Sequence, residues 1–256
     1  MDKLDLLIQD LYKKFTNSTL DNGQLSSVKN HYANNTEQLV QDIYKKFTNS
    51  TLSPRQLTGI FDSYNLLPDS TPLKDYIANL EQDSNGYQSF NPGGRGDGAL
   101  GKYQVRYRTH KDEIKKITGV ENKDEFYGSK FAQEKYMQHL IDNNYLPKLD
   151  SFKKINEQRG LGFSDEELIY TMHHEGVAGA ETYLKTGYSN FNSEAILEKQ
   201  RQRGRDYLQR QRNILKDEET SNVINTANID RVSTLRNIYI QSEKEARAET
   251  NINFKP

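Results

Sequence analysis

Apolar residues in the first part of the chain recur at the spacing of one helix face, and the pattern occurs twice. Leu7, Leu11 and Phe15 lie four residues apart, and the segment YKKFTNSTL that begins at Tyr12 is repeated without change at Tyr44. Residues four apart lie on the same side of an α-helix. The pattern therefore predicts an amphipathic helix near the start of each copy.

Each copy also contains the start signal of a second helix. Asp21 and Ser53 are each followed three residues later by a glutamine, which fits a capping box, and Pro54 suits the first helical position. Two helical hairpins can bury their apolar faces against each other as a small four-helix unit. We predict a tandem helical-hairpin repeat over residues 1–67. Docking or oligomerisation is its preferred role, and binding to nucleic acid or to a cell wall is the alternative.

A third pattern predicts a helix that ends at a carboxyl group. Leu73, Ile77 and Leu80 recur at helical spacing, and Glu81 follows them directly. A polar loop rich in glycine, residues 93–101, comes next, and glycine allows backbone to approach a ligand closely. A carboxyl group beside an apolar face is expected to be partly desolvated. Desolvation disfavours the charged form, so such a group can act as a general acid near neutral pH.

Helical patterns dominate after Gln104. Further helices are predicted over residues 109–118, 124–143, 149–159, 164–175, 178–185 and 193–216. Ser164 and Glu167 fit a capping box at the start of the helix over 164–175. The fold class is therefore mainly α, with a small extended or β-like loop region after Glu81. We divide the chain into the repeat at 1–67, a catalytic domain at 68–216 and a polar helical tail at 217–256.

Charge and composition narrow the choice of partners. The chain has 35 Lys and Arg against 36 Asp and Glu, so its net charge gives no reason to expect a nucleic-acid partner. It has no cysteine, which excludes disulfides and thiolate metal sites. No apolar run reaches the roughly 20 residues that a membrane span needs. The first residues also lack the apolar segment of a signal peptide, so we expect another device to carry a protein that acts outside the cytoplasm.

Four short blocks follow one another in an order known from cell-wall enzymes. Glu81 ends the first; the others are Gly98–Gln104 (GALGKYQ), Met172–Ala180 (MHHEGVAGA) and Arg205–Leu208 (RDYL). The series resembles the soluble lytic transglycosylase and goose-type lysozyme families of the lysozyme-like superfamily, and its third block is similar to the form found in phage virion-associated members. Family members usually have serine after the glutamate. Gln82 stands there in this chain, which puts a serine contact to substrate in doubt.

The resemblance implies cleavage of the β-1,4 bond between N-acetylmuramic acid and N-acetylglucosamine in peptidoglycan, without a cofactor. Glu81 would protonate the glycosidic oxygen. In a lytic transglycosylase the same group then acts as the base that helps the muramoyl 6-hydroxyl close a 1,6-anhydro ring. A lysozyme instead directs water, usually with a second carboxylate. Asp97 is the better candidate for that carboxylate, with an ordinary turn residue as its alternative. Asp83 is the other candidate, but it lies only two residues from Glu81 in the sequence. We favour the transglycosylase.

The resemblance also implies which residues line the sugar groove. Gln104 would bond an acetamido group or the catalytic glutamate, and Tyr103, His173, His174 and Tyr207 would contribute to the groove walls. Core packing is the alternative for Tyr103, and ordinary helix packing is the alternative for Tyr207. The adjacent histidines do not predict a metal site, because zinc-binding helices place their histidines four residues apart.

The phage-type third block, the flanking segments and the lack of a signal peptide together suggest an enzyme carried in a virion. Such an enzyme would act in the periplasm or cell wall of the host and open a local hole in the wall during genome entry. Its partners would be peptidoglycan glycan strands and a virion or assembly protein, which would bind residues 1–67 and 217–256. The rival interpretation is a structural virion or ejection protein that keeps the lysozyme fold without the activity.

Overall fold

The computed structural model describes residues 2–32, 35–68, 70–81, 85–92, 98–189, 198, 201–211 and 213. The chain forms two compact units, Met1–Gly204 and Arg205–Pro256. The first unit is mainly α-helical, as the sequence predicts. Its helices are α1 (Lys3–Thr16), α2 (Asn22–His31), α3 (Thr36–Thr48), α4 (Pro54–Ser63), α5 (Pro72–Glu81), α6 (Tyr107–Thr118), α7 (Lys123–Gly128), α8 (Lys130–Leu140), α9 (Leu146–Arg159), α10 (Asp165–Glu175) and α11 (Val177–Thr186).

A small antiparallel sheet follows α5, where the sequence predicts an extended region. Its strands are β1 (Phe90–Asn91), β2 (Ala99–Leu100) and β3 (Val105–Arg106), in the order β1-β2-β3. Phe90 pairs with Leu100, and Leu100 pairs with Val105. The short turn between β2 and β3 contains Gly101 and Gln104, which both have positive φ. The sheet therefore carries the chain from the end of α5 to the start of α6.

The capping signals in the sequence are confirmed at three helix starts. Asp21, Ser53 and Ser164 each accept a hydrogen bond from the backbone three residues on, and the glutamine or glutamate there bonds back to the cap residue. Each box satisfies backbone donors that a helix start leaves without an internal partner. Pro54 occupies the first turn of α4 as expected.

The two copies of the N-terminal repeat pack face to face through residues that correspond in sequence. Phe15 stacks on Phe47 with ring centroids 5.4 Å apart. Tyr12 meets Phe47 edge-on, and Tyr44 meets Phe15 in the same way, with centroids 5.6 Å and 5.8 Å apart. Each contact that a residue of one copy makes is therefore repeated by the corresponding residue of the other copy, as in an interface with local two-fold symmetry.

Polar contacts follow the same reciprocal pattern. The Tyr32 hydroxyl donates to Asp42 at 3.0 Å, and the Tyr64 hydroxyl donates to Asp10 at 2.6 Å. Burial and the bond to Asp10 raise the pKa of Tyr64 to about 12. Each hairpin thus donates one tyrosine hydrogen bond to the other. Because hydrogen bonds are directional, these two bonds fix the relative orientation of the hairpins, which the apolar contact alone defines less well.

The repeat shares its core with the helices that follow. Phe131 of α8 belongs to the same buried cluster as the apolar residues of α1, α3 and α4, and its ring lies 4.4 Å from that of Phe61. The Thr58 hydroxyl donates to the carbonyl of Thr118 at 2.7 Å. Gly119 lies so close to α4 that an added Cβ would be 2.2 Å from the backbone nitrogen of Arg55. Residues 1–67 are therefore packed directly against α6 and α8, and a domain boundary at residue 67 stays a prediction.

The prediction of one helix over residues 124–143 is wrong. The helix is interrupted at Ser129, which has an extended backbone and caps α8 by accepting a hydrogen bond from the backbone nitrogen of Ala132. A π-helical turn, Ile141–Tyr145, then joins α8 to α9. Pro147 follows in the first turn of α9 and has no N–H to continue the regular ladder. Wide turns of this kind are often found at functional sites.

The C-terminal predictions fall largely outside the described residues. Of the predicted helix 193–216, residues 198, 201–211 and 213 are described and are helical. The predicted tail, 217–256, lies outside the described part of the chain.

Candidate functional site

Glu81 lines a cleft of about 440 Å³ that is built from six parts of the fold. The cleft is lined by the end of α5, the small sheet, α6, the end of α8, the π-helical turn and the end of α10. Its chemistry-bearing side chains are Glu81, Asn91, Gln104, Arg106, Thr109, His110, Tyr145, His173, His174 and Glu175. Segments that are distant in sequence therefore place acids, imidazoles, two amides and a guanidinium around one space.

Glu81 is half-buried at the last position of α5. The helix is held by the buried side chains of Tyr76, Ile77 and Leu80, so its final residue has a defined direction. Among the described residues no lysine or arginine forms an ion pair with Glu81.

The Tyr170 hydroxyl lies beside Glu81 in the protein interior. Burial raises the pKa of Tyr170, and the charge of Glu81 and a hydrogen-bond interaction with it add to the effect. The buried hydroxyl has no partner at normal hydrogen-bond geometry among the described residues. Tyr170 is thus a neutral donor directed at the carboxyl group from α10.

His173 is fixed by hydrogen bonds at both ring nitrogens. Its Nε2 lies 2.8 Å from the carbonyl oxygen of Tyr103, and its Nδ1 lies 3.1 Å from the hydroxyl of Tyr145. A carbonyl can only accept, so Nε2 carries the proton and Nδ1 accepts from Tyr145. Burial lowers the pKa of His173 although the nearby charge of Glu81 opposes this. The ring is therefore neutral at pH 7, and its tautomer is defined.

Gln104 has a strained backbone at the edge of the cleft. Its φ is 49°, a left-handed conformation that residues other than glycine adopt rarely. Its side-chain amide donates to the carbonyl of Gly101 at 2.9 Å, which holds the turn closed. Such strain costs on the order of 1–3 kcal/mol and is commonly retained where function requires the geometry.

Tyr103 precedes Gln104 but its ring is buried away from the cleft. The ring is 1% exposed, and its hydroxyl donates to Glu134 at 2.8 Å. The side chain of Tyr103 is thus packed in the core, which is the alternative that the sequence analysis gives to a place in the groove wall. Only its backbone carbonyl contributes to the site, through the bond to His173.

A buried charged network anchors the elements around Glu81 from below. Glu134 of α8 accepts from Tyr87 at 2.6 Å and from Tyr103, and it forms ion pairs with Lys74 at 3.2 Å and Lys102 at 2.9 Å. Burial opposes its ionisation, but the hydrogen bonds from Tyr87 and Lys102 outweigh burial and lower the pKa of Glu134. Since Lys74 belongs to α5 and Lys102 belongs to the β2–β3 turn, the network ties the Glu81 helix to the Gln104 turn.

His174 and Glu175 form a hydrogen-bonded pair of an imidazole and an acid at the end of α10. The Nδ1 of His174 donates to Glu175 at 3.1 Å, and the hydroxyl of Ser189 donates to the other oxygen at 2.9 Å. The Glu175 side chain is fully buried. The pair therefore brings a second carboxylate to the cleft, although its oxygens are already engaged.

His110 contributes a further imidazole from α6, supported by residues behind it. Its Nδ1 lies 2.8 Å from the Tyr136 hydroxyl, which lies 2.5 Å from Glu113. His139 bonds the other oxygen of Glu113 at 3.0 Å. Burial opposes ionisation of Glu113, but these bonds outweigh it and lower the pKa of Glu113. The acid is therefore ionised at neutral pH.

The structure brings four of the residues singled out in the sequence into one cleft: Glu81, Gln104, His173 and His174. Asp97 lies outside the described residues. Tyr207 is helical but belongs to the second unit, so its role at the groove stays a prediction.

Sequence reasoning missed Tyr145 and His110 as cleft residues. Pro147, inside an otherwise helical stretch, was an available signal of irregular backbone near Tyr145. No comparable signal marks His110, because its position in the cleft depends on the packing of α6 against α8.

The described part of the chain shows neither a metal site nor a membrane span. There, no three His, Cys, Asp or Glu side chains are grouped so that they could hold a metal ion. None of the helices that the structure describes is both long and apolar enough to cross a membrane. Comparison of the chain with protein-family models, curated proteins and solved structures finds no significant match.

Proposed function

We propose that this protein cleaves the β-1,4 bond between N-acetylmuramic acid and N-acetylglucosamine as a peptidoglycan lytic transglycosylase, with Glu81 as the general acid. One observation carries the proposal. Glu81, at the end of its apolar helix, lines the same cleft as Gln104 and His173, which are the residues that the resemblance to lysozyme-like enzymes assigns to a sugar groove.

The chemistry of the cleft suits a neutral, hydroxyl-rich ligand. Gln104 and Asn91 offer amide groups, and His173 is a neutral imidazole. The carboxyl groups of Glu81 and Glu175 stand against the guanidinium of Arg106 in the same cleft and disfavour a ligand rich in phosphate. Hydrogen-bonding side chains around a half-buried acid are the arrangement that glycosidic cleavage needs.

The order of elements supports a lysozyme-like domain. An acid-bearing helix, α5, is followed by a small antiparallel sheet and then by helices that complete the cleft. We propose in addition that residues 1–67 are a helical repeat module placed beside this domain, and that residues 68–216 and 217–256 form the catalytic domain and the tail.

In the proposed reaction Glu81 gives its proton to the glycosidic oxygen as the bond to the anomeric carbon breaks. The muramoyl 6-hydroxyl attacks that carbon and closes the 1,6-anhydro ring. In the simplest form of the reaction, Glu81 also takes up the hydroxyl proton and is ready for a further cycle. No cofactor is required, because protonation of the leaving group is the main chemical demand.

Zymography on purified peptidoglycan tests the proposal with wild type, Glu81→Gln and Glu181→Gln. Glu181 is a matched control, since it is exposed and pairs with Lys185 on the surface of α11. We expect clearing by wild type and by the control, and none by Glu81→Gln. If none of the three folded proteins clears the gel, the protein is a structural component instead.

Mass spectrometry of the released fragments identifies the reaction type. Anhydro ends indicate a lytic transglycosylase, and reducing ends indicate a lysozyme that uses water. The second outcome would direct attention to Asp97 as the additional carboxylate, which a Asp97→Asn variant would test.

We further propose that the enzyme is carried in a phage virion and acts in the periplasm or cell wall of the host, and that an assembly partner binds residues 1–67 and 217–256. The proposal rests on the resemblance to phage-type enzymes. Mass spectrometry of purified particles should detect the chain, and deletion of 217–256 should remove it from the particle while leaving glycan cleavage intact.

A further inference from the structure

His110 is a second group in the cleft with the arrangement of a proton acceptor. Tyr136 has one hydroxyl proton, and the ionised Glu113 at 2.5 Å can only accept it. The Tyr136 oxygen must therefore accept from Nδ1 of His110, 2.8 Å away. That bond leaves the lone pair of a neutral ring on Nε2.

The position of His110 places this lone pair at the reaction space. Nδ1 points toward Tyr136 in the interior, so Nε2 is the nitrogen left to face the cleft that His110 lines. Nε2 has no hydrogen-bond partner among the described residues. His110, His173 and Glu81 line the same cleft, and the charge of Glu81 acts on His173.

We propose that Nε2 of His110 accepts the proton of the attacking hydroxyl while Glu81 protonates the leaving oxygen, with Glu113 and Tyr136 as positioning residues. This inference rests on the proposed glycosidase function and assigns the base role to a separate residue.

The step balances with these two groups. The O–H bond of the attacking hydroxyl breaks and its proton moves to Nε2, while the oxygen forms a bond to the anomeric carbon. The bond from that carbon to the glycosidic oxygen breaks, and the leaving oxygen takes the electron pair and the proton of Glu81. The site is reset when the proton passes from His110 to Glu81 through solvent. The hydroxyl is the muramoyl 6-hydroxyl if anhydro ends are released, and water if reducing ends are released.

The charge state of His110 is consistent with this role. Burial lowers the pKa of His110 from the ordinary value of 6.5; the charge of Glu113 opposes this and His173 adds to it. Among the described residues, the titratable groups that act on the ring or support it are Glu113 on its own helix, Tyr136 and His139 on α8, and His173 on α10. Glu81, Arg106 and Tyr145 line the same cleft. A base must be unprotonated, so activity should fall as the pH drops through a value below 6.5.

Initial rates on peptidoglycan, measured with the full chain, test the inference. His110→Asn keeps a nitrogen near the position of Nδ1 and so preserves the bond to Tyr136, but removes Nε2. We expect a loss of about 10²- to 10⁴-fold in rate and disappearance of the acidic limb of the pH profile. His110→Ala should regain part of the activity with added imidazole. His31→Asn, an exposed histidine in α2, is the matched control and should behave as wild type.

The outcomes separate the two proposals. If wild type cleaves the glycan and Glu81→Gln does not, but His110→Asn stays within about threefold of wild type with an unchanged acidic limb, the role of His110 is overturned and the proposed function stands. If wild type is inactive, both fail. Should His110→Asn not fold, Tyr136→Phe gives the answer, because the loss of the orienting hydroxyl must lower the rate and move the acidic limb if His110 is the base. An unchanged rate and limb in Tyr136→Phe contradict the inference.

Discussion

Replacing Glu134 with glutamine should destabilise the protein by about 3–5 kcal/mol, because the buried Lys74 side chain loses the Glu134 carboxylate, and removal of one partner of a buried ion pair is strongly destabilising. The Glu134 and Lys74 side chains are 2% and 0% exposed, so water cannot substitute for the lost carboxylate. Glutamine has nearly the same shape, which limits the change to charge and hydrogen bonding. Tyr87, Tyr103 and Lys102 would also lose a charged acceptor.

The size of the effect can be converted to a melting temperature. For a domain of 150–250 residues, 1 kcal/mol shifts the Tm by about 2–4 °C, so the expected loss is roughly 6–20 °C. Urea titration gives the free energy of unfolding, and a thermal scan gives the Tm. Glu181→Gln, which removes an exposed surface charge, should leave both unchanged.

A double-mutant cycle tests the physical reason. Lys74→Met alone should also destabilise the protein. Combined with Glu134→Gln it should cost less than the sum of the two single changes, because no buried ammonium then remains beside an uncharged residue 134. A Glu134→Gln effect below about 1 kcal/mol, or simple additivity of the two changes, would refute the account of a buried coupled network.

The same network predicts a pH dependence with a defined sign. The pKa of Glu134 is lower in the folded protein than its ordinary value of 4.5. Its contribution to stability is therefore present above that value and is lost as the pH falls through the lower folded pKa. Urea titrations of wild type should show this loss at acidic pH. Glu134→Gln should lack this part of the acid sensitivity, and an equally steep loss in the variant would contradict the assignment.

Three further outcomes follow from the cleft and its turn. Gln104→Gly should relieve a backbone cost on the order of 1–3 kcal/mol, so the free energy of unfolding should be unchanged or higher. The same change should lower the rate of glycan cleavage by at least about tenfold. Equal activity would show that the Gln104 side chain does not contact substrate. Gly101→Ala should lower the Tm, since φ is +71° and the added Cβ would be 2.0 Å from the side-chain oxygen of Gln133. His173→Gln should flatten the loss of stability seen in thermal scans as the pH falls below 6.5, because the lowered pKa of His173 makes its protonation favour the unfolded chain.

Local sequence signals determined most of the helices and their starts. Asp21, Ser53 and Ser164 cap helices as predicted, because a capping box involves residues only three apart and depends little on the remainder of the fold. The stripe that ends at Glu81 also identified the acid-bearing helix, since helical periodicity is a property of neighbouring residues.

Only the tertiary structure decided which side chains share the cleft. Tyr103 and Gln104 are adjacent in sequence, yet one ring is buried on Glu134 and the other side chain lines the cleft, because the turn with positive φ directs them apart. No motif in the sequence marks His110 as a residue of the cleft. It reaches the cleft because α6 packs on α8, where Tyr136 fixes its ring. Contacts between distant segments depend on how whole helices pack, and neighbouring residues carry no record of that packing.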